Sequence, residues 1–288
     1  MLKNFKKYGL LIFTGFLILA TIFIFRLDWQ NSHRKLTFAM LDIGQGDALF
    51  IESPTGTQVL IDAGPPRKIL SQLLRVMPAF DRTIDAIIIS HPDQDHIGGF
   101  AEVLKTYKVG KVFYSGTLSD SKTYQNLEDE IKNQNIPNIL ARKGMRLNLG
   151  GGAVIDILFP DQDVSSWETN EGSVIAKLSY GKTSMMLTGD APIKTERIIL
   201  SENSLAVIKS EILKLGHHGS RTSSSLEFVQ AVSPEYAFIS VGKDNNYGHP
   251  HKEVLDILNK IGAKIFRTDQ DGMIVVKCDK IKECEIKK

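Results

Sequence analysis

The stretch "HPDQDHIGG", His91 to Gly99, places two histidines and two aspartates within six positions. A solvated surface does not need histidine, and a core does not need four polar side chains together. Imidazole and carboxylate in this density suit zinc, and also manganese or iron. His91 and Asp93 stand two apart and can turn toward one point, while Asp95 and His96 reach a second. One loop cannot complete two metal shells, so other ligands must come from far along the chain. "MLTGDA" offers Asp190, a carboxylate placed to bridge two ions. "LKLGHHGS" offers His217 and His218, and "YGHPH" offers His249 and His251. With His91 and His96 these are six of the seven histidines, and only His33 stands apart.

Two divalent ions held in this way would activate water and neutralise oxygens of a phosphate ester. A departing alkoxide needs a proton, and His218, His249 or His251 is the candidate donor. Ser220, Arg221 and Thr222 in "HHGSRTS", and Lys243 in "SVGKDNNYGHPH", are candidates to touch phosphate. Asp62 in "LIDAG" could orient a metal-bound histidine from behind. Asp42 and Asp47 flank the glycine-rich bend in "LDIGQGDA". That bend lacks both the Gly-Lys-Ser/Thr of a phosphate-binding loop and the full dinucleotide fingerprint, so no nucleotide cofactor is expected.

These residues need rigid supports. "TIDAIIISH" is a β-branched apolar strand suited to burial on both faces, and it delivers His91. "SPTG" is a turn between strands ending near Ser53 and starting near Gln58. "ILSQLLRVMPAF" and "GGFAEVLKTY" have helical spacing, and "KVGKVFYSG" returns to strand. From about Ala153 a similar plan recurs. "AVIDILFP" and "SVIAKLSYGKTSMMLTGDA" read as strands, "IKTERIILSE" as a helix, and "SEILKLGHHGS" as a strand reaching histidines. "SLEFVQAV", "YAFISVG" and "HKEVLDILNKIG" follow as helix, strand and helix, and "KIFRTDQDGMIVVKC" as a hairpin. The intervals Asp62 to His91 and Asp190 to His217 are 29 and 27 residues. The repeat predicts two sheets with outer helices around a shared core, their edge loops meeting in one cleft.

The chain of 288 residues, 42% hydrophobic and 24% charged, is ordinary for a globular protein. A net charge of +2 implies no broad basic field, so nucleic acid is neither demanded nor excluded. Residues 1–34 read differently. Lys3, Lys6 and Lys7 precede eighteen uncharged residues, Tyr8 to Phe25. As a helix these span about 27 Å, close to the roughly 30 Å of a hydrocarbon core. No Ala-x-Ala cleavage pattern follows Ala20, which favours an uncleaved single-pass anchor over a signal peptide. The leading lysines place the N-terminal stub in the cytoplasm and the body, 35–288, outside the cell. Cys278 and Cys284 in "CDKIKEC" either close a small disulfide in an exported body or remain free thiols.

At these motifs the body resembles the metallo-β-lactamase fold, whose signature is His-x-His-x-Asp-His. It is more closely similar to the extracellular metallo-hydrolase domain of the ComEC competence DNA-uptake channels, through "DIGQGDA", "HPDQDHIGG", "TGD", "HHGS" and "GHPH". The resemblance implies a four-layer αββα sandwich and two divalent metal ions, zinc first and manganese second. It implies one ion on His91, Asp93 and Asp190 and another on Asp95, His96, Asp190 and His217. His218 or His249 is the alternative to His217. It implies a phosphodiesterase or nuclease, with DNA or another phosphodiester as substrate. The alternatives are a small or cell-envelope phosphoester hydrolase and a non-catalytic metal protein of DNA uptake. Two departures stand out. Asp93 replaces the second signature histidine, and no histidine lies between His96 and His217, where Asn170 and Ser173 stand instead. The single candidate span also reads as the hydrolase domain without a channel.

Overall fold

The computed structural model describes residues 2–32, 35–280 and 284–288; within the first helix, side chains are described for Tyr8, Gly9 and residues 11–24. His33 lies outside the described residues.

Two mixed sheets form the body. The first has eight strands, in spatial order Glu285–Lys287, Ile274–Cys278, Leu36–Met40, Leu49–Glu52, Gln58–Ile61, Ala86–Ile89, Val112–Tyr114 and Asn138–Leu140. The second has seven: Lys264–Arg267, Tyr236–Ile239, Ile212–Lys214, Thr183–Leu187, Ile175–Tyr180, Ala153–Phe159 and Arg146–Gly150. Alternation along each strand divides its side chains between two cores. Val59 and Ile61 enter the cluster between the sheets, whereas Leu60 joins Ile69, Leu73, Phe100 and Leu127 of the helices outside the first sheet. Leu213 likewise packs outward with Ile199, Phe228 and Leu258, while Ile212 packs inward. The layers are therefore helix, sheet, sheet, helix, as the repeat predicted.

Each half uses the same device. An antiparallel hairpin ends in an aspartate, a helix crosses over, and a parallel strand returns with the histidines. Gln58–Ile61 pairs in parallel with Ala86–Ile89, and Thr183–Leu187 with Ile212–Lys214. Asp62 and His91, and Asp190 and His217, thus leave the carboxyl ends of adjacent strands. Loops at that edge of an α/β sheet are where ligand chemistry is usually placed.

Two points in the sequence reading need correction. The segment "KIFRTDQDGMIVVKC" is not a hairpin. Its strands Lys264–Arg267 and Ile274–Cys278 lie in different sheets, separated by a helical turn at Thr268–Asp271. The Asp271 carboxylate accepts the Arg267 amide and Thr268 Oγ1 accepts the Val241 amide, which fixes that turn. The following strand instead pairs with Leu36–Met40. A helix at Lys122–Asn133, capped by Ser121, was not read from sequence.

The expected membrane anchor lies in the first helix. Tyr8 to Phe25 falls in a helix, Leu2–Ser32, but the side chains of Leu10 and Phe25 lie outside the described residues. Among the described residues no helix is long and apolar enough to cross a membrane.

Cys278 and Cys284 are joined in a disulfide, which resolves the alternative left open by their spacing.

Candidate metal centre

His96 stands at the centre of the sheet-edge cluster, fully buried. Its Nδ1 lies 2.8 Å from Asp62 Oδ2, and its Nε2 lies 3.3 Å from Asp190 Oδ2. His218 Nε2 is also 3.3 Å from Asp190 Oδ2, and 3.3 Å from Asp95 Oδ2. Ligand atoms of His91, His96 and Asp190 lie within 4.8 Å of one another, and so do those of Asp95, His96 and His218. Asp190 and His96 therefore join two donor sets, one reaching His91 and the other His218.

The supports fix which nitrogen points inward. Ser90 Oγ donates to Asp62 Oδ2 at 2.6 Å, so its oxygen is left to accept from His91 Nδ1 at 3.0 Å. His91 then carries its proton on Nδ1 and presents the Nε2 lone pair to the cluster. His218 Nδ1 similarly donates to the Ser240 carbonyl at 2.9 Å, freeing Nε2. Asp62 also accepts the Ser90 amide at 2.8 Å. It orients His96 directly and His91 through Ser90. Ser90 was absent from the sequence reading, because a serine before a histidine carries no signal until its partner at position 62 is known.

Backbone geometry serves the same end. Asp62, His217 and His218 all have left-handed φ, at 58°, 49° and 55°. Such values are uncommon for residues with a Cβ and are held only where surroundings impose them. At Gly46, with φ 118°, a Cβ would come within 2.0 Å of the Asp95 carbonyl oxygen. Glycine is needed there for Asp47 N to approach that carbonyl at 3.2 Å.

Buried charge accumulates around these donors. Burial opposes a charge on His96 and His218, but nearby carboxylates outweigh it. Asp190 and Asp62 hold His96 well above its usual pKa, and Asp190 with Asp95 raises His218 to about 9. His91 moves the other way, well below its usual value, through burial and the charge of His96. Burial works against ionised Asp190 too, yet His218 and His96 hold its pKa well down. A raised histidine pKa stabilises the fold fully below the ordinary value of 6.5, and that stability is lost as pH rises through about 9. The metal-stripped protein is expected to lose stability between pH 7 and 9, read as a falling urea midpoint. Zinc, by replacing those protons, should flatten the profile. A metal-stripped protein with a flat profile would mean that His96 and His218 are not paired in this way.

Lys214, a residue the sequence reading passed over, is entirely buried behind the cluster. Its ammonium contacts the Asp47 carboxylate, donates to the Gly189 carbonyl at 2.9 Å and lies 3.7 Å from Asp190 Oδ1. Burial disfavours its charge, but Asp47 and Asp190 more than compensate and raise its pKa. A lone lysine in the apolar strand "EILKLG" was the available signal. Lys214→Met strands Asp47 without a counter-charge and is expected to cost about 3–5 kcal/mol in urea denaturation. Adding Asp47→Asn should recover a large part of that loss; no recovery would show that the two are not an energetic pair.

The remaining candidates lie farther out. Asp93 Oδ2 is 3.6 Å from His91 Nε2. His217 Nε2 is 3.9 Å from Asp190 Oδ2, and its Nδ1 is 3.3 Å from Thr222 Oγ1. The His249 ring sits 5.6 Å from that of His217 and 6.3 Å from that of His218. Burial and the charges of its three neighbouring histidines push its pKa down to about 4. His251 Nδ1 accepts the Arg221 amide, and the Arg221 side chain is exposed beside Glu253. Ser173 Oγ accepts the Asp190 amide at 3.3 Å. Ser220 bonds to Thr222, Lys243 is exposed, and Asp42 joins none of the described site contacts.

The donor chemistry fits a metal. His91 Nε2 and Asp190 Oδ1 are buried with no hydrogen-bond partner, as is Asn170 Oδ1, while His96 Nε2 and His218 Nε2 meet only carboxylate oxygens, at 3.3 Å. Buried polar atoms are rarely left so, and a cation among them would satisfy several at once.

Fold and centre agree with the comparisons. The family model of the metallo-beta-lactamase superfamily matches residues 41–243, and the chain belongs to that superfamily. It is 34% identical over 260 residues to ComE operon protein 3 of Bacillus subtilis, covering 82% of this chain and 32% of that protein. It is 29% identical over 281 residues to Recombination protein 2 of Haemophilus influenzae, covering 96% of this chain and 33% of that protein. The chain thus spans about a third of the length of these relatives. A metallo hydrolase from Ignicoccus hospitalis shares the fold with a TM-score of 0.55 at 16% identity, over 84% of this chain and 100% of that one. The likeness to ComEC-type metallo-hydrolases expected from the motifs is therefore established. Superfamily and donor set together support a metal-dependent hydrolase.

Proposed function

We propose that the chain is a nuclease, a phosphodiesterase dependent on two divalent ions. The observation that carries this reading is the convergence of three buried imidazole nitrogens, those of His91, His96 and His218, on Asp190. His91, Asp93 and Asp190 would hold one ion; Asp95, His96, Asp190 and His218 the other. Asn170, whose Oδ1 is buried without a partner, stands in the sequence where the superfamily's extra histidine is missing. Zinc suits the imidazoles, and manganese suits the oxygen-rich set around Asp93. When bound, the ions supply a nucleophile from water at neutral pH and offset phosphoryl charge.

The chain's own groups do the positioning. Asp62 and Ser90 aim two imidazoles, and Lys214 counters the carboxylates behind them. His217, with its side chain 30% exposed, stands at the rim and can touch a phosphate oxygen. His249 is neutral at pH 7, so it serves as a hydrogen-bond acceptor rather than as a reserve of protons for the leaving oxygen. Arg221 and Lys243 carry positive charge outside the cluster. The name of the relative Recombination protein 2 favours DNA among phosphodiesters.

The test is the purified chain, stripped of metal and reloaded with zinc or manganese. Substrates are single- and double-stranded DNA, RNA and bis-p-nitrophenyl phosphate. Metal-dependent cleavage of DNA is expected. Cleavage of the small diester alone would favour a small or cell-envelope phosphoester hydrolase. Full metal loading with no cleavage would favour a non-catalytic metal protein of DNA uptake.

We also infer attachment to the cell membrane through the helix Leu2–Ser32, with the body, 35–288, outside the cell. Large apolar side chains are exposed around that helix, among them Ile12, Phe16, Leu19 and Phe23. The disulfide fits an oxidising compartment. Protease added to intact cells should digest the body; protection until lysis would reverse the topology.

A further inference from the structure

The loop from Gly242 to His251 presents an aromatic ring that the metal chemistry does not use. Tyr247 is 66% exposed, yet it is held in place. Its ring stacks on His249, with centroids 5.6 Å apart and planes 21° from parallel. His249 in turn meets His217 and His251 edge to face, at 5.6 Å and 4.9 Å. Two ring separations, 5.6 Å and 6.3 Å, therefore lead from Tyr247 through His249 to His218 beside Asp190.

The loop beneath the ring is stiff. Asn245 donates to the Gly242 and His249 carbonyls at 3.0 Å and 2.8 Å. Its Oδ1 accepts the Tyr247 and His249 amides at 3.2 Å and 3.0 Å. One side chain thus closes the loop around four backbone groups. A preformed, exposed ring stacks a flat ligand at little cost in ordering. Exposed Lys243 lies in the same loop, and the backbone amide of Arg221 donates to His251 Nδ1 at the loop's end. Exposed aromatic rings on which successive bases stack are a means by which proteins hold single-stranded nucleic acid.

We propose that Tyr247, backed by His249, is a stacking platform for a nucleobase next to the phosphate being cleaved. This deepens the nuclease reading and rests on it. The platform recognises the π-face common to all bases, so it sets a preference for nucleic acid over other phosphodiesters without choosing a sequence. A sugar ring would also lie on a tyrosine, and the test separates the two.

The metal-loaded full chain is assayed on a strand of ten thymidines and on a strand of the same length and charge with every base removed. Stacking is worth roughly 5- to 150-fold per base, so the parent protein should show at least about fivefold higher kcat/KM on the intact strand. Tyr247→Leu should bring that ratio close to one, whereas Tyr247→Phe should keep it. Because each variant is its own reference, a loss of folded protein does not move the ratio. Equal rates on both strands, or a ratio that survives Tyr247→Leu, would overturn the platform while leaving the nuclease reading intact. Cleavage of neither strand by the parent would overturn the nuclease reading, and the platform with it.

Discussion

Asp190→Asn is expected to reduce metal-dependent turnover at least about a thousandfold, a loss of ~4 kcal/mol of transition-state stabilisation. Asp190 is the carboxylate whose oxygen lies 3.3 Å from the Nε2 atoms of both His96 and His218. Asparagine keeps the shape and the backbone contact to Ser173 but removes the charge. Two dications would then repel each other with less negative charge between them. The variant should still fold, because the amide at position 190 keeps its bond to Ser173 Oγ and the strand before it is unchanged. Initial rates across a metal titration, with metal content measured alongside, check this. Near-parent activity at saturating metal would mean that Asp190 does not join the two donor sets.

His218→Ala should be nearly as damaging, about a hundredfold to a thousandfold, and should lower metal content. His217→Ala should cost only about tenfold, mainly in KM, and retain metal. The difference follows from geometry. His218 is 1% exposed and grouped with Asp95 and His96, whereas His217 Nε2 is 3.9 Å from Asp190. The family resemblance put His217 first as ligand, with His218 or His249 as the alternative, and His218 stood among the candidate proton donors. If His217→Ala loses the metal and His218→Ala keeps it, that first allocation is right.

Sequence was sufficient for much of the plan, and the physical reason is periodicity. Short apolar runs such as "AIII" could only be buried strands, and polar residues directly after them had to lie at a sheet edge. The matching intervals after Asp62 and Asp190 made two similar halves visible. Histidines are few, so their concentration in three motifs identified the loops that meet, even though they are up to 160 positions apart. The hairpin at 264–278 was misread because pairing between distant strands leaves no local mark. Adjacent strands with a turn between them look alike whether they pair together or join opposite sheets.

What tertiary structure decided was orientation. Two adjacent histidines in "HHGS" are equivalent in sequence, and only successive left-handed residues send His218 inward and leave His217 at the rim. Ser90 gained a role from Asp62, 28 residues away, and Lys214 from Asp47, 167 residues away. Tyr247 became a platform only once His249 lay beneath it. Residue type and spacing determine which chemistry a chain can perform. Which atom faces the centre depends on hydrogen bonds between segments that only the folded sheets bring together.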